Sequence, residues 1–444
     1  MNNVVTRFAP SPTGLLHPGN YRTAVFAYLF AKHTKGSFVL RIEDTDKERS
    51  KAEYEANIIE SLAWLALPFD TKYRQSDHAG RHHELLETLV KADKAYVSKE
   101  EKKNENDREE VIRFRNPGGT VSFTDLIRGE ITMNVDDLGD FIIARSFDEP
   151  VFHFAVVVDD ADEGVTHVIR GEDHISNTPR QILIQRALGF SMPLYAHLPL
   201  ILGSDRTKLS KRKGARALTD YRDQGILPEA MLNYLALLGW NPGDDREYLD
   251  RDTLIKAFDL IRVQKGAAIF DETKLLSVNQ HWMRELSVDE FITRGNFETT
   301  DQEKLRLAVP LLKDRAHSFS EARDMLKGEL LCLFENPVLD AQKLLMKEPA
   351  DRPGMTLTTL KELLKLVQSF PEEISAEEVK DTLMPLADIE EKNGKGGRGA
   401  VLWPLRFALS GQDRSPDPFT LISILGSKDA GSRIQNAITT LERN

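Results

Sequence analysis

The segment V-V-T-R-F-A-P-S-P-T-G-L-L-H-P-G-N (Val4–Asn20) decides the fold. It opens with a short β-prone run, Val4–Phe8, and continues as a loop of proline, serine, threonine and glycine. Pro18 follows at a position typical of a first helical residue. Apolar side chains then recur every three or four residues, a spacing that places them on one face of a helix. They are Tyr21, Ala24, Val25, Tyr28 and Leu29.

A second strand is predicted directly after this helix. Gly36 ends the helix, and Ser37–Glu43 alternates between its two faces as a strand does. A strand, a crossover helix and a second strand predict a parallel sheet. Ligands of such sheets bind beyond the carboxyl ends of the strands. Arg7 and Glu43 lie near two such ends and are therefore candidate binding residues.

The middle of the chain mixes helical and β-prone segments. We predict helices over residues 53–67 and 78–97. Residues 98–120 are polar and weakly patterned, which indicates an exposed linker or small insert. Residues 121–160 carry short β-prone pieces that end in Phe152–Val158.

The second half of the chain is predicted to be helical. A second α/β stretch runs to about residue 215, and from Leu227 onward almost every periodic segment has helical spacing. Pro228 opens one helix and Gly239 ends it. Asn393–Gly399 is a glycine-rich, basic loop between helical segments.

Composition excludes several classes of protein. The chain has 444 residues, 41% hydrophobic and 29% charged, which is ordinary for a globular protein and excludes collagen-like and disordered chains. No apolar stretch approaches the roughly 20 residues of a membrane-spanning helix, and we expect no secretion signal. The single cysteine, Cys332, excludes an internal disulfide and a cysteine-rich zinc site. We therefore expect a cytoplasmic protein.

The charge balance is acidic. Lys and Arg number 59 against 70 Asp and Glu, which gives a formal net charge of −11. This argues against a protein that coats nucleic acid through a general positive field. It leaves open a protein that holds nucleic acid through local basic patches.

Two segments are candidates for binding phosphate. His17 precedes a predicted helix N-terminus, which presents free N–H groups and partial positive charge, and Gly19 would let a planar base approach the backbone. The alternative is a surface loop with a capping histidine. The second segment, Lys208–Gly214 (K-L-S-K-R-K-G), is a cationic loop that could close over a polyphosphate. Its alternative is a solvated basic loop.

Taken together, the two segments are far more specific than either alone. With these motifs the chain resembles the class I aminoacyl-tRNA synthetases and, within them, the bacterial-type glutamyl-tRNA synthetases. The resemblance covers essentially the whole chain, in the order of the family. The matching segments are T-R-F-A-P-S-P-T-G (Thr6–Gly14), R-I-E-D-T-D (Arg41–Asp46), V-I-R-G-E-D-H (Val168–His174), N-T-P-R-Q (Asn177–Gln181), K-L-S-K-R (208–212), Leu227–Trp240 and Trp403–Gly411.

The resemblance implies the substrates and their binding residues. ATP, with Mg²⁺ sharing its charge, would bind at Pro10, Ser11, Pro12, Thr13, Gly14, His17, Gly19, Asn20, Lys208, Leu209, Ser210, Lys211 and Arg212. Of these, His17, Lys208 and Lys211 would face the triphosphate and act in catalysis. L-glutamate would bind at Arg7, Ser11, Glu43, Phe152 and Arg170, with the two arginines on its carboxylates and Glu43 on its ammonium group. Which arginine takes which carboxylate is left open.

The implied chemistry needs no nucleophilic side chain. The glutamate carboxylate attacks the α-phosphorus of ATP, and the ribose hydroxyl of the terminal tRNA adenosine then attacks the glutamyl-adenylate. Positioning and cations supply the rate.

Three features depart from the family's pattern. Pro18 stands where a hydrophobic residue is usual, and Phe152 stands where the family usually has tyrosine. Some members carry a Cys/His zinc cluster near residues 98–120, which a chain with one cysteine cannot build. We therefore expect no zinc and no metal site on the protein itself.

The resemblance also implies the domain organisation. The predicted fold is a Rossmann-like α/β catalytic domain over residues 1–215, with an acceptor-binding insert at about 70–150. A helical stem-contact domain over 216–309 and an all-α anticodon-binding region over 310–444 would follow. Candidate tRNA contacts are Arg315, Arg398 and Arg406, with Lys395 and Arg414 as further candidates. We predict that Trp403 belongs to the core, rather than forming a platform on which a base stacks. Cys332 is predicted to be a small, buried apolar residue. We expect a monomer.

Several alternatives remain at this point. A truncated paralogue would lack the helical half, and a glutaminyl enzyme would have a β-barrel there. A non-catalytic tRNA-binding paralogue would have lost its phosphate-site cations, which are all present. The enzyme could charge tRNA(Gln) with glutamate as well as tRNA(Glu). Four charged residues in and just after the segment R-I-E-D-T-D could bind substrate directly or form a network of surface ion pairs; they are Arg41, Asp44, Asp46 and Arg49.

Overall fold

The computed structural model describes residues 3–100, 109–209, 216–299, 301–392 and 397–443. The chain forms two compact units, Met1–Asn279 and Gln280–Asn444. The sequence predicted three regions, with boundaries after residues 215 and 309. The boundary between the two compact units falls inside a helix, Glu272–Glu285.

The first unit is an α/β structure whose strands form one large sheet and two smaller ones. In chain order the strands are β1 (Val5–Phe8), β2 (Ser37–Ile42), β3 (Thr71–Arg74), β4 (Ala95–Lys99), β5 (Glu110–Phe114), β6 (Thr120–Asp125), β7 (Gly129–Asn134), β8 (Phe141–Ser146), β9 (Glu149–Pro150), β10 (His167–Gly171), β11 (Leu194–Leu198), β12 (Ile201–Leu202) and β13 (Ala268–Ile269).

The large sheet has the strand order β3-β2-β1-β10-β11-β6-β7. Its pairs are parallel except for the β6–β7 hairpin, and Thr6 lies opposite Phe38 on one side and His167 on the other. The chain moves outward from β1 to β2 and β3 and later returns to place β10 on the other side of β1. The strand order therefore reverses between β1 and β10, which is where ligands of such sheets bind.

Strand β2 is buried on both of its faces. Residues Phe38 to Ile42 are all buried, because the parallel sheet is covered on both faces. Arg41 is consequently fully buried.

The predicted insert at about 70–150 is only partly a separate layer. Strands β4, β5, β8 and β9 form their own four-stranded antiparallel sheet, but β3 and the β6–β7 hairpin pair into the large sheet. The predicted linker over 98–120 contains the regular strand β5, and its residues 101–108 lie outside the described ranges.

The helices of the first unit cover the sheets and continue to its end. They are α1 (Pro18–His33), α2 (Ala52–Trp64), α3 (Ala79–Lys91), α4 (Phe152–Asp162), α5 (Thr178–Leu188), α6 (Leu218–Asp223), α7 (Pro228–Leu237), α8 (Arg251–Ala257) and α9 (Glu272–Glu285). Helices α1 and α7 begin at the prolines from which the sequence predicted them.

Two predictions in this unit were wrong. Phe152–Val158 was predicted as β-prone but forms most of α4, whose residues from Phe154 to Asp160 are all buried. A helix that is apolar on every side shows no amphipathic period, so its valines resemble a buried strand. The helix predicted over 78–97 ends at Lys91, and Asp93, with φ of 54°, turns the chain into β4.

The second unit is helical in its described residues. Its helices are α10 (Val288–Gly295), α11 (Gln302–Arg315), α12 (Phe319–Lys327), α13 (Ala341–Leu344), α14 (Met355–Gln368), α15 (Ala376–Lys392), α16 (Gly399–Ser410) and α17 (Pro418–Arg443). Helix α17 is kinked at Gly426, where φ is 75°. The guanidinium of Arg433, 2% exposed, donates to the carbonyls of Cys332 and Leu409. Cys332 is itself buried, as predicted.

Candidate active site

A cavity of about 620 Å³ lies in the first unit where the large sheet reverses its strand order. It collects residues from the ends of β1, β2 and β10, from the start of α1 and from the segment after β11. Most of the predicted site residues line it: Arg7, Pro10, Ser11, Thr13, His17, Gly19, Asn20, Glu43, Phe152, Arg170, Lys208 and Leu209. Pro12 and Gly14 belong to the same loop but do not line the cavity. Ser210, Lys211 and Arg212 lie outside the described residues.

The N-terminus of α1 is capped by His17. The imidazole Nδ1 accepts a hydrogen bond from the backbone N–H of Gly19 (3.1 Å), and the backbone N–H of His17 donates to the side chain of Asn20 (3.2 Å). A Cβ at position 19 would lie 2.8 Å from the imidazole, so this cap requires glycine. Pro18 occupies the first helical turn, where its missing N–H removes no helical bond. The capping histidine and the cavity-lining histidine are thus the same residue.

Arg7 is anchored by an acidic residue that the sequence analysis missed. Its Nε donates to Asp160 Oδ1 (3.0 Å) and its Nη1 to the carbonyl of Ile169 (3.4 Å). Its Nη2 takes part in neither contact, and Arg7 lines the cavity.

Asp160 also holds Arg41, so that one buried carboxylate bridges two arginines. Arg41 Nη2 donates to Asp160 (2.8 Å), its Nη1 donates to Glu163 (2.9 Å), and its Nε lies 3.5 Å from Glu43. We call Arg7, Arg41, Glu43, Asp160 and Glu163 the buried ion network. Burial alone would raise the pKa of Asp160, but Arg7 and Arg41 hold it below its ordinary value. Burial raises the pKa of Glu163 to about 8, against the opposing effect of Arg41.

The four charged residues in and after the segment Arg41–Asp46 differ in their burial. The idea of a surface network is wrong for Arg41, which is buried, because β2 lies inside a sheet covered on both faces. It is correct for Asp46 and Arg49, whose side chains are 37% and 73% exposed and pair with each other. Asp44 accepts from the backbone N–H of Ser76 (2.9 Å) and from its hydroxyl (2.7 Å), and so caps a turn.

Glu43 directly follows β2 and lines the cavity, where its surroundings shift the pKa of its carboxyl group. Burial raises its pKa to about 7, against the opposing effects of Arg41 and Arg7. Asp160 and Asp159 raise it further. Its carboxylate is therefore poised to gain negative charge when a cation arrives beside it.

Arg170 lies near the carboxyl end of β10 and is a buried cation. It is 7% exposed, its Nε donates to His197 Nε2 (3.1 Å), and its Nη2 donates to the Thr178 hydroxyl (2.8 Å). In the part of the chain that the structure describes, no carboxylate pairs with it. Burial lowers its pKa to about 10. A buried guanidinium held only by neutral groups is a site for an anionic ligand.

Phe152 and Lys208 both line the cavity. Phe152 begins α4, and its ring lies 5.5 Å from that of His174, which also lines the cavity. Lys208 Nζ forms an ion pair with Asp173 Oδ2 (2.8 Å), both side chains being about half exposed.

Sequence reasoning missed several residues of this wall. Asp173, His174 and Asn177 lie in motifs that were quoted for the family resemblance, so the signal was present. Arg22 had no signal of its own, because it falls within an ordinary helix sequence. It is 3% exposed and donates from Nη1 to the carbonyl of Leu238 and from Nη2 to that of Pro199.

The predicted tRNA contacts lie in the second unit as surface arginines. Arg315 pairs with Glu329 (3.3 Å), and Arg398 pairs with both Asp388 and Glu391 (2.8 Å each). Arg406 donates to the carbonyl of Asp413 and lies 4.9 Å above the ring of Trp403. Trp403 Nε1 donates to the carbonyl of Lys343 (2.7 Å), a bond typical of a partly buried structural tryptophan. Lys395 lies outside the described residues.

The described residues form neither a metal-binding cluster nor a membrane-spanning helix. No three His, Cys, Asp or Glu side chains in those ranges are grouped so that they could hold a metal ion. Among the same residues, no helix has the length and apolar character needed to cross a membrane.

Comparison with known proteins gives consistent matches along the chain. The family model described as tRNA synthetases class I (E and Q), catalytic domain, matches residues 3–104 and 98–277. A model described as an anticodon binding domain matches residues 277–438. A glutamate–tRNA ligase of Aquifex aeolicus (strain VF5) is 41% identical over 99% of this chain and 100% of that protein. One of Lawsonia intracellularis is 39% identical over 98% of each chain.

A solved structure matches as well. The crystal structure of a glutamate tRNA ligase from Elizabethkingia meningosepticum, in complex with its amino acid, superposes with a TM-score of 0.84 at 31% identity. The match covers 99% of this chain and 100% of that one.

Proposed function

The chain belongs to the class I tRNA synthetases of the glutamate and glutamine type, and from this premise we propose that it ligates L-glutamate to tRNA(Glu) at the expense of ATP. The observation that carries the proposal is the buried guanidinium of Arg170, held by neutral groups at the wall of the cavity. A second arginine, Arg7, lines the same cavity. Two cations at one wall suit a dicarboxylate substrate.

Glutamate would lie between these cations and Glu43. Arg7 and Arg170 take its two carboxylates, and Glu43 takes its ammonium group. Ser11 lines the same wall and would donate a hydrogen bond to the substrate. Phe152 contributes an apolar surface without the hydroxyl usual at this position.

ATP would lie over the loop before α1 and the N-terminus of that helix. The free N–H groups of the first turn carry partial positive charge toward the phosphates. We assign the adenosine and phosphate contacts to the loop Pro10–Gly14 and to His17, Gly19 and Asn20, and the triphosphate charge to Lys208, Leu209, Ser210, Lys211 and Arg212. In the structure Asp173 holds the Lys208 ammonium, so Lys208 would exchange that partner for a phosphate oxygen.

Magnesium would accompany the nucleotide. The cavity carboxylate Glu43 lies beside Arg41 and is assigned to the ammonium group of glutamate, which suits an ion coordinated mainly by phosphate oxygens and water. When bound, the ion would neutralise charge on the triphosphate.

The reaction then depends on positioning. The arginines hold the glutamate carboxylate in line with the α-phosphorus, and the cationic residues stabilise the charge that moves to pyrophosphate. The ribose hydroxyl of the terminal tRNA adenosine attacks the glutamyl-adenylate, and AMP leaves.

Aminoacylation of purified tRNAs tests this function directly. We expect charging of tRNA(Glu) with glutamate and ATP–pyrophosphate exchange that requires tRNA, since tRNA would shift the site into its competent geometry. Charging of tRNA(Gln) in the same assay would identify a non-discriminating enzyme. Absence of both charging and exchange would instead favour a non-catalytic tRNA-binding paralogue.

We further propose that the enzyme acts as a cytoplasmic monomer, with catalytic, stem-contact and anticodon-binding regions over residues 1–215, 216–309 and 310–444. The anticodon-binding family model begins earlier, at residue 277.

We expect glutamate use to depend on pH through Glu43. With a pKa of about 7, its ionised fraction falls from about nine-tenths at pH 8 to about one-tenth at pH 6. Because only the carboxylate attracts the ammonium group, kcat/KM for glutamate should fall about tenfold over that range. In the Glu43→Gln variant, kcat/KM for glutamate should already be low at pH 8 and should change little between pH 8 and pH 6. The control is Glu163→Gln, the same change at another member of the buried ion network, in which kcat/KM for glutamate should still fall between pH 8 and pH 6. A wild-type pH profile in Glu43→Gln would contradict the assignment of Glu43 to the ammonium group.

We expect substitutions of Arg398 and Arg406 to change the KM for tRNA but not the KM values for glutamate and ATP. The protein is acidic, so its affinity for tRNA must come from local basic groups. The Arg398→Ala, Arg406→Ala double variant would lose charged hydrogen bonds to phosphate. We expect its KM for tRNA to rise about tenfold. The KM values for glutamate and ATP should stay unchanged, without a steeper salt dependence. Arg306→Ala, which removes an equally exposed arginine paired with Asp289, is the control. Wild-type kinetics at several salt concentrations would mean that Arg398 serves only its pairs with Asp388 and Glu391.

A further inference from the structure

A chain of buried polar groups extends from Arg170 away from the cavity. Arg170 Nε donates to His197 Nε2 (3.1 Å), and His197 Nδ1 lies 2.7 Å from Asp125 Oδ2. The side chains of His197 and Asp125 are fully buried. Three residues on three neighbouring strands, β10, β11 and β6, therefore form one hydrogen-bonded line across the large sheet.

The geometry assigns the protons along this line. An arginine nitrogen can only donate, so the His197 Nε2 that receives its bond must be unprotonated. The proton of the imidazole is then on Nδ1, where it is donated to the Asp125 carboxylate. Burial lowers the pKa of His197, and the positive charge of Arg170 also lowers it, which together outweigh Asp125. The imidazole is thus neutral, with its tautomer fixed.

Asp125 is itself held rigidly. Its Oδ1 accepts from the backbone N–H groups of Ile127 (2.9 Å) and Arg128 (2.8 Å), and its Oδ2 accepts from the backbone N–H of His197 (3.0 Å). Burial raises its pKa, but these hydrogen bonds, with that from the His197 side chain first among them, hold it below the ordinary value. The carboxylate therefore stays charged.

We propose that His197 and Asp125 are positioning residues for the glutamate site: the carboxylate fixes the tautomer of His197, and His197 fixes the guanidinium of Arg170 toward the substrate carboxylate. This inference rests on the proposed function, since it assigns Arg170 to glutamate. Arg170 has a second support in Thr178, which bonds to Nη2. Nε and Nη2 are both occupied, so the fork cannot rotate and its Nη1 is the nitrogen that these contacts leave for a ligand.

Two amide variants separate this role from a merely structural one. The Gln oxygen in His197→Gln can reach the place of Nε2 and accept from Arg170, whereas the shorter side chain in His197→Asn reaches only the place of Nδ1. Both variants replace a buried imidazole by a primary amide. We expect His197→Asn to raise the KM for glutamate about 10- to 100-fold, the loss of one hydrogen bond to a charged group, and His197→Gln to remain within about threefold of wild type. The KM for ATP should be unchanged in both.

Asp125→Asn tests the tautomer. Its amide would donate to Nδ1 and so place the imidazole proton on Nε2, facing the Arg170 N–H, and we expect a rise in glutamate KM similar to that of His197→Asn. Tyr195→Phe is the control, because that hydroxyl bonds to Gln185 (3.3 Å) rather than to His197 or Arg170.

The outcomes are distinguishable. Equal glutamate KM values in the two amide variants, or parallel losses toward glutamate and ATP, would overturn the positioning role. If the wild-type protein charges no tRNA and shows no exchange, the proposed function itself fails. In that case isothermal titration of the same variants with glutamate decides the positioning role: binding weakened in His197→Asn and retained in His197→Gln supports it, and any other pattern overturns it.

Discussion

Replacing Arg170 with alanine is expected to raise the KM for glutamate by a factor of about 100 or more, the cost of leaving one member of a buried charge pair without its partner. No carboxylate among the described residues pairs with the guanidinium, so the substrate carboxylate is the partner that we assign to its charge. Removing it leaves the substrate carboxylate without the cation that is assigned to it. The KM for ATP should change little, because the nucleotide is assigned to the α1 end of the cavity.

The experiment is pyrophosphate exchange in the presence of tRNA, with glutamate varied at saturating ATP. Arg186→Ala is the matched control, since Arg186 lies on the exposed side of α5. Arg170→Lys should fall between wild type and alanine, because lysine keeps the charge but cannot bond to His197 and the substrate through a planar fork. A glutamate KM within about threefold of wild type in Arg170→Ala would remove Arg170 from the site.

A substitution of Arg7 would test glutamate binding less specifically than Arg170→Ala does. Its Nε is already committed to Asp160, so an alanine at position 7 would weaken glutamate binding and disrupt the buried ion network together. The two arginines, which the sequence treated alike, therefore differ in the structure: Arg170 is held by neutral groups and Arg7 by an acid.

The parts of the site that were predictable are those encoded locally. The β1–α1–β2 unit, the capping position of His17 and the placement of Arg7 and Glu43 at strand ends all follow from residues close in sequence. The network around Arg41 does not, because Asp160 and Glu163 lie 119 and 122 residues away from it. Burial of a charge is a tertiary property: the alternating pattern of β2 gives no indication that both faces are covered.

Helix α4 shows the same limit. Its first seven residues are F-H-F-A-V-V-V, whose valines and phenylalanines favour a strand, whereas the structure has a helix that is buried from Phe154 to Asp160. Because this segment was not predicted as a helix, the acidic residues at its end were not identified as part of the site. Asp159, Asp160 and Glu163 follow the valines, and a helical spacing of three and four would have placed Asp160 and Glu163 side by side.

Asp160→Ala is expected to destabilise the first unit by about 3–5 kcal/mol, because it leaves Arg7 and Arg41 buried with their shared carboxylate removed. Asp46→Ala removes a carboxylate of the same type from an exposed pair and should cost less than about 1 kcal/mol. The comparison isolates burial, since both acids pair with arginine in the same unit.

Hydrogen exchange of the full-length chain, followed in peptides from β1 and β2, measures the difference where it arises. Protection in those strands should fall by two to three orders of magnitude (about 1.4 kcal/mol for each) in Asp160→Ala and by less than about tenfold in Asp46→Ala. The pH sign follows from the lowered pKa of Asp160: its contribution is complete above the pKa of an unfolded aspartate, about 4, and is lost as the pH falls through the lower native value. Equal protection in the two variants would show that Glu43 and Glu163 suffice to hold both arginines, and that the bridging carboxylate is not what stabilises the strands beneath the site.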